Sequence, residues 1–131
     1  MRVMLDTNVL ISALLFPSRH MDLLFEKVVT EHTMVLSSYV IDELHHVVER
    51  KFPTKIQVIE RLLANMSYEL VYTPRIIEEK IIEIRDSYDY PVIYTAIKEE
   101  VDVLITGDKD FLDLEIEAPK ILTPREYLEL F

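Results

Sequence analysis

Short apolar runs alternate along the chain with segments whose apolar residues recur every three to four positions. The runs read as strands at residues 2–5, 33–36, 69–72, 103–105 and 120–122. Helical spacing occupies residues 8–15, closed by Phe16-Pro17-Ser18, and residues 21–30. A third helix, capped by Ser37 or Ser38, runs to about residue 51; Pro53 ends it, and residues 55–66 form its partner in a helical hairpin. Residues 75–85 also have helical spacing, with Ile76, Ile77, Ile81, Ile82 and Ile84 on one side. Pro91 lies early in a helix that reaches about residue 100, at a position where its missing N–H costs little. Thr123-Pro124-Arg125-Glu126 has the order N-cap, first-turn proline, capping-box partner. Strand and helix in alternation predict an α/β fold around a mostly parallel sheet of four or five strands.

At 131 residues the chain is expected to form a single domain, residues 1–131, without internal repeat or linker. Hydrophobic residues make up 50% of it, which favours a folded globule over a disordered chain. There is no cysteine, the start lacks the pattern of a signal peptide, and no apolar stretch approaches the roughly 20 residues of a membrane span. These features predict a cytoplasmic protein with no membrane partner. The net charge of −10 argues against nonspecific, charge-driven nucleic-acid binding. It does not argue against a nuclease, because acids that hold metal count as negative until the cation arrives.

The acids fall in a pattern. Val3-Met4-Leu5 stops at Asp6, and Val103-Leu104-Ile105 is followed by Thr106-Gly107-Asp108. Glu43 lies early in the third helix, beside an apolar stripe, and Asp89 lies just before Tyr90-Pro91, with Asp86 as a competitor in the same loop. Each has an ordinary alternative: Asp6, Asp89 and Asp108 as helix caps, Glu43 as an exposed acid near a positive helix terminus. Together they place four carboxylates at one end of the sheet, where α/β folds bind ligands. Like charges so gathered raise one another's pKa, and Mg²⁺ or Mn²⁺, which prefer carboxylate and water oxygens, relieves the conflict. A water retained by such an ion is a nucleophile for phosphodiester hydrolysis.

The ordered set of Asp6-Thr7-Asn8-Val9-Leu10-Ile11, Ser37 with Glu43-Leu44, Arg85-Asp86 with Asp89 and Pro91, Thr106-Gly107-Asp108-Lys109-Asp110-Phe111 and Ile121-Leu122-Thr123-Pro124 resembles PIN-domain proteins over nearly the whole chain. It is most similar to the PIN toxins of prokaryotic toxin–antitoxin modules, often called VapC-like. The resemblance implies a three-layer α/β/α sandwich and metal-dependent cleavage of single-stranded RNA. It also implies a cognate antitoxin and a homodimer or higher homo-oligomer. Asp6, Glu43, Asp89 and Asp108 fall on the family's acidic quartet, which holds the metal; Asn8 and Thr106 fall on supporting polar residues, and Asp110 on a nearby acid. Two features depart from the pattern: Tyr90 stands where an acid is common before the proline, and His45 and His46 stand where arginines are common.

Under that reading Asp6 and Asp108 bind the principal ion, Glu43 and Asp89 complete its shell, and Thr106 and Asn8 donate to the carboxylates. Arg50, Lys51, Lys55 and Arg61, around the helical hairpin, are candidates for contact with phosphates, or form a solvated face. Tyr88, Tyr90 and Tyr94 are candidates for stacking on bases or for packing. Two other functions compete. A phosphatase or phosphotransfer protein would use Asp6 as nucleophile, but the second acid such enzymes carry two residues on is here Asn8. A non-catalytic module would keep the fold and use its acids only to hold a partner.

Overall fold

The computed structural model describes residues 1–131. Five strands, β1 (Arg2–Leu5), β2 (Thr33–Ser37), β3 (Glu69–Val71), β4 (Val103–Ile105) and β5 (Lys120–Leu122), form one sheet in the order β3-β2-β1-β4-β5. Every neighbouring pair is parallel. Val3, Met4, Leu5, Met34, Val35, Leu36, Val103, Leu104 and Ile105 are all buried. Consecutive buried residues point to both faces of a strand, so the central strands are covered on both sides, as parallel sheets require. Each such side chain contributes roughly 1.5–3 kcal/mol relative to exposure.

The covering elements are α1 (Thr7–Leu15), α2 (Arg19–Glu31), α3 (Ser38–Lys51), α4 (Ile56–Asn65), α5 (Tyr90–Lys98), α6 (Lys109–Leu112) and α7 (Pro124–Leu130), with a short 3₁₀ turn at Pro53–Lys55. α1 packs on α2 and α3, α3 on α4 and α5, and α2 on α7, which completes the α/β/α architecture. Local chemistry sets the helix starts. Ser18 caps α2 through Met21 N–H at 3.1 Å, and Ser37 caps α3 through Val40 N–H at 3.1 Å. Thr123 and Glu126 form the expected capping box on α7. None of these helices is long and apolar enough to cross a membrane.

One expected helix is absent. Residues 75–85 form an irregular segment without helix or strand. Ile82 and Ile84 pack against the core from it, whereas Ile76 is exposed. The five isoleucines are β-branched and restricted at χ1 in a helix, which weakens any helix they would form. The Tyr90 hydroxyl replaces some of the missing backbone pairing: it donates to Glu79 O at 2.7 Å and accepts from Ile81 N–H at 2.9 Å.

The sheet order creates the site. From β1 the chain moves outward through β2 and β3, then returns to the other side of β1 at β4. A crevice opens at such a reversal, beyond the carboxyl ends of the two diverging strands. Leu5 pairs with Ile105, so Asp6 and Thr106 are the next residues in register at that crevice.

Candidate active site

Asp6 leaves β1 as the cap of α1 and is buried, 4% exposed. Its Oδ1 accepts from Val9 N–H at 3.0 Å, and its Oδ2 accepts from the Thr106 hydroxyl. The same hydroxyl accepts from Asp108 N–H at 3.0 Å, so Thr106 ties two acids together. Asp108 in turn caps the short α6, accepting from Asp110 N–H at 2.9 Å. Burial pushes the Asp6 carboxyl above its ordinary pKa; the hydrogen bonds from Thr106 and Val9 oppose this, and the charges on Asp108 and Glu43 add to the rise. The charges of Asp108 and Glu43 thus both act on Asp6.

Glu43 arrives from α3. Its Oε1 accepts from the Thr7 hydroxyl at 2.7 Å. Asn8 is exposed, and no hydrogen bond ties its amide to the acids; the neighbouring Thr7 supplies the donor instead. Thr7 carries a readable signal, a hydroxyl on the first turn of a helix beside a buried acid, but Asn8 is the more polar of the two.

Asp89 precedes α5, yet its side chain makes no capping bond. Its Oδ2 is buried with no hydrogen-bond partner. Burial pushes its carboxyl up to about 7, helped by the negative charges of Asp108, Asp86 and Asp110. Asp86, Asp89 and Asp110 bring carboxylate oxygens within 4.8 Å of one another, the tightest grouping of potential metal ligands in the chain. Asp86 thus joins the acids rather than competing with Asp89, though its Oδ1 also accepts from Tyr88 N–H at 3.0 Å. The one counter-charge is Arg85, which holds Asp110 through bonds of 2.8 and 3.0 Å.

The donor set fits a hard divalent cation. It is all carboxylate oxygen, it includes an orphaned buried oxygen, and its mutual repulsion is only partly relieved by one arginine. The basic residues of the helical hairpin are more dispersed. Arg50, Lys51, Lys55 and Arg61 are all exposed, and of the four, Arg50 lines the cavity that reaches Glu43. Of the tyrosines, Tyr88 is exposed, while Tyr90 and Tyr94 pack on each other at 5.8 Å.

A family model described as "PIN domain" matches residues 2–110. An uncharacterized protein of Methanocaldococcus jannaschii, MJ1680, is 28% identical over 145 residues, which span 99% of this chain and 91% of the relative. Among solved structures, the fold is similar to a chain in the crystal structure of VapBC2 from Rickettsia felis bound to a DNA fragment from their promoter. That match has a TM-score of 0.70 and 19% identity, over 93% of this chain and 97% of the other.

Proposed function

This chain belongs to the PIN-domain family, and on that premise we propose that it is a divalent-metal-dependent endoribonuclease that hydrolyses single-stranded RNA as the toxin of a toxin–antitoxin pair. The observation that carries the reading is the buried, unpartnered Oδ2 of Asp89 amid Asp86, Asp108 and Asp110. A carboxylate is costly in that setting unless a cation joins it. The fold likeness to a chain of VapBC2 supports the antitoxin as partner.

Asp6, Glu43, Asp89 and Asp108 would hold Mg²⁺ or Mn²⁺, with Asp86 and Asp110 at the rim. A bound ion would supply Lewis acidity toward the phosphodiester and lower the pKa of a water. The protein's own residues do the rest. Thr106 fixes Asp6 and the backbone of Asp108, Thr7 fixes Glu43, and Arg85 pairs with Asp110. Use of Asp6 as a phosphorylated nucleophile has less support, because both of its oxygens already accept hydrogen bonds in a buried position.

The test is incubation with short single-stranded RNAs in Mg²⁺, Mn²⁺ or EDTA. Cleavage is expected with either ion, none in EDTA, and none for a folded Asp6→Asn variant. Metal-dependent cleavage by Asp6→Asn at the wild-type rate refutes the assignment.

A further inference from the structure

Tyr39, Glu43, His46 and Arg50 recur on α3 at the spacing that places them on one side of the helix. That side is open. Tyr39, Asp42, Glu43, His46 and Arg50 line a cavity of about 390 Å³. A second cavity, about 270 Å³, shares Tyr39 and Asp42 with the first and continues past Thr73 and Pro74 to Arg75. The two share Tyr39 and Asp42, so a groove with an arginine in each half reaches the acids at Glu43. Along α3 alone, from Tyr39 to Arg50, it extends about 16 Å.

The lining has a specific chemistry. The Tyr39 hydroxyl donates to Tyr88 O at 3.1 Å, which fixes the ring. The ring lies where the groove meets the acids: its pKa is raised by burial first, then by the charges of Glu43, Asp89 and Asp86. Arg50 and Arg75 take part in none of the chain's ion pairs, unlike Arg85, which is committed to Asp110. In a protein of net charge −10, a polyanion reaches an acidic pocket only where local cations offset the field. A fixed aromatic ring takes an unpaired base, because a paired base offers no free face. Asp42, between the arginines, is an acceptor suited to an exocyclic amino group, and His46 adds a polar group beside Glu43.

We infer that this groove is the strand track of the carboxylate site, taking single-stranded nucleic acid with a base against Tyr39 and backbone phosphates at Arg50 and Arg75. The inference rests on the hydrolase reading above and adds to it the path and polarity of contacts by which substrate arrives. Arg50 and Arg75 act on phosphates; Tyr39 and Asp42 act on a base.

The experiment measures binding of a short fluorescent oligoribonucleotide in Ca²⁺ across a salt series, with Mn²⁺ affinity measured separately. Arg50→Ala and Arg75→Ala should each weaken binding roughly three- to tenfold and reduce the salt slope by about one phosphate contact. Tyr39→Leu should weaken binding with the slope unchanged. Mn²⁺ affinity should be unaffected by the arginine changes, and Lys27→Ala on α2, which removes the same charge elsewhere, should leave binding as in wild type. If both arginine variants keep wild-type affinity and slope while wild type still cleaves RNA, the track is overturned and the hydrolase stands. If Mn²⁺ affinity falls in step with oligonucleotide affinity, the arginines act through the site's structure, and the track is again overturned. Failure of wild type to bind or cleave any single-stranded RNA overturns both readings.

Discussion

The hydroxyl of Thr7 donates to Oε1 of Glu43 at 2.7 Å, joining the first turn of α1 to the second turn of α3. Thr7 is buried and directly follows Asp6, so one dipeptide both contributes an acid and positions another. Groups that orient metal ligands typically govern about 10–100-fold in metal affinity. Thr7→Val keeps the shape and removes the donor. It should weaken Mn²⁺ binding on that scale, read by calorimetric titration, and change the melting temperature of the metal-free protein little. An unchanged Mn²⁺ affinity would mean that Glu43 is held without Thr7 or does not bind the ion.

Asp89 carries the pH dependence. Its carboxyl, raised to about 7 by burial and by Asp108, Asp86 and Asp110, keeps in the folded protein a proton that the unfolded chain has released. Between about pH 4 and about pH 7 the folded state therefore binds more protons than the unfolded state, and stability falls as pH rises through that window. Asp89→Asn removes this contribution. With chelator present, the variant's melting temperature should gain on wild type from about pH 4 to about pH 7 and then hold its lead. A constant difference across that range would contradict the assignment. Protons and metal compete for the same oxygens, so the thermal gain from Mn²⁺ should shrink in wild type below about pH 7.

Gly107, the chain's one glycine, sits between Thr106 and Asp108. Its φ is not positive, and a Cβ built on it would meet nothing within 4 Å. Neither backbone conformation nor protein packing requires glycine there. Gly107→Ala should thus leave stability unchanged or raise it by about 0.4–1 kcal/mol through the unfolded chain. What the methyl does enter is the open space beside Asp108. Cleavage of RNA should fall while Mn²⁺ affinity holds. Cleavage of RNA at the wild-type rate would mean that substrate does not use that space, and a loss of stability would contradict the open setting of Gly107.

The fold was legible where burial dictates pattern. Val3-Met4-Leu5 and Val103-Leu104-Ile105 are apolar on both faces because both faces are covered, and no other element suits such short runs. The acids after them were legible for the same reason: a carboxylate ending a buried strand is conspicuous. Residues 75–85 differ from the expected helix because isoleucine spacing alone does not distinguish a helix from an irregular segment that dips into the core at Ile82 and Ile84. The deciding partner, the Tyr90 hydroxyl, lies outside that segment. Asp86 and Thr7 are less conspicuous in the sequence because Asp89, three residues on, and Asn8, the next residue, compete with them for the same roles. Only the folded chain shows that Asp86, Asp89 and Asp110 converge. The groove on α3 also needed the structure, because Arg75 is distant in sequence from Arg50 and their cavities join at Tyr39 and Asp42.

Thr106 offers the sharpest separation of stability from metal binding. It is fully buried, its hydroxyl donates to Asp6 and accepts from Asp108 N–H, and nothing else donates to Asp6 Oδ2. Thr106→Val preserves the shape and strips both bonds. The orphaned buried groups should cost about 1–3 kcal/mol, read as a lower urea midpoint. The hydrogen bond from Thr106 also opposes the rise in the Asp6 pKa, so its loss moves that carboxyl further up and protons compete better with Mn²⁺ for it. Thr106→Ser restores the hydroxyl and deletes a buried methyl. It should recover Mn²⁺ affinity while remaining about 0.8 kcal/mol less stable than wild type. Full recovery of the metal with only partial recovery of the urea midpoint would separate the hydroxyl's electrostatic role from the methyl's packing. If serine binds Mn²⁺ no better than valine, the hydroxyl is not what prepares Asp6 for the ion.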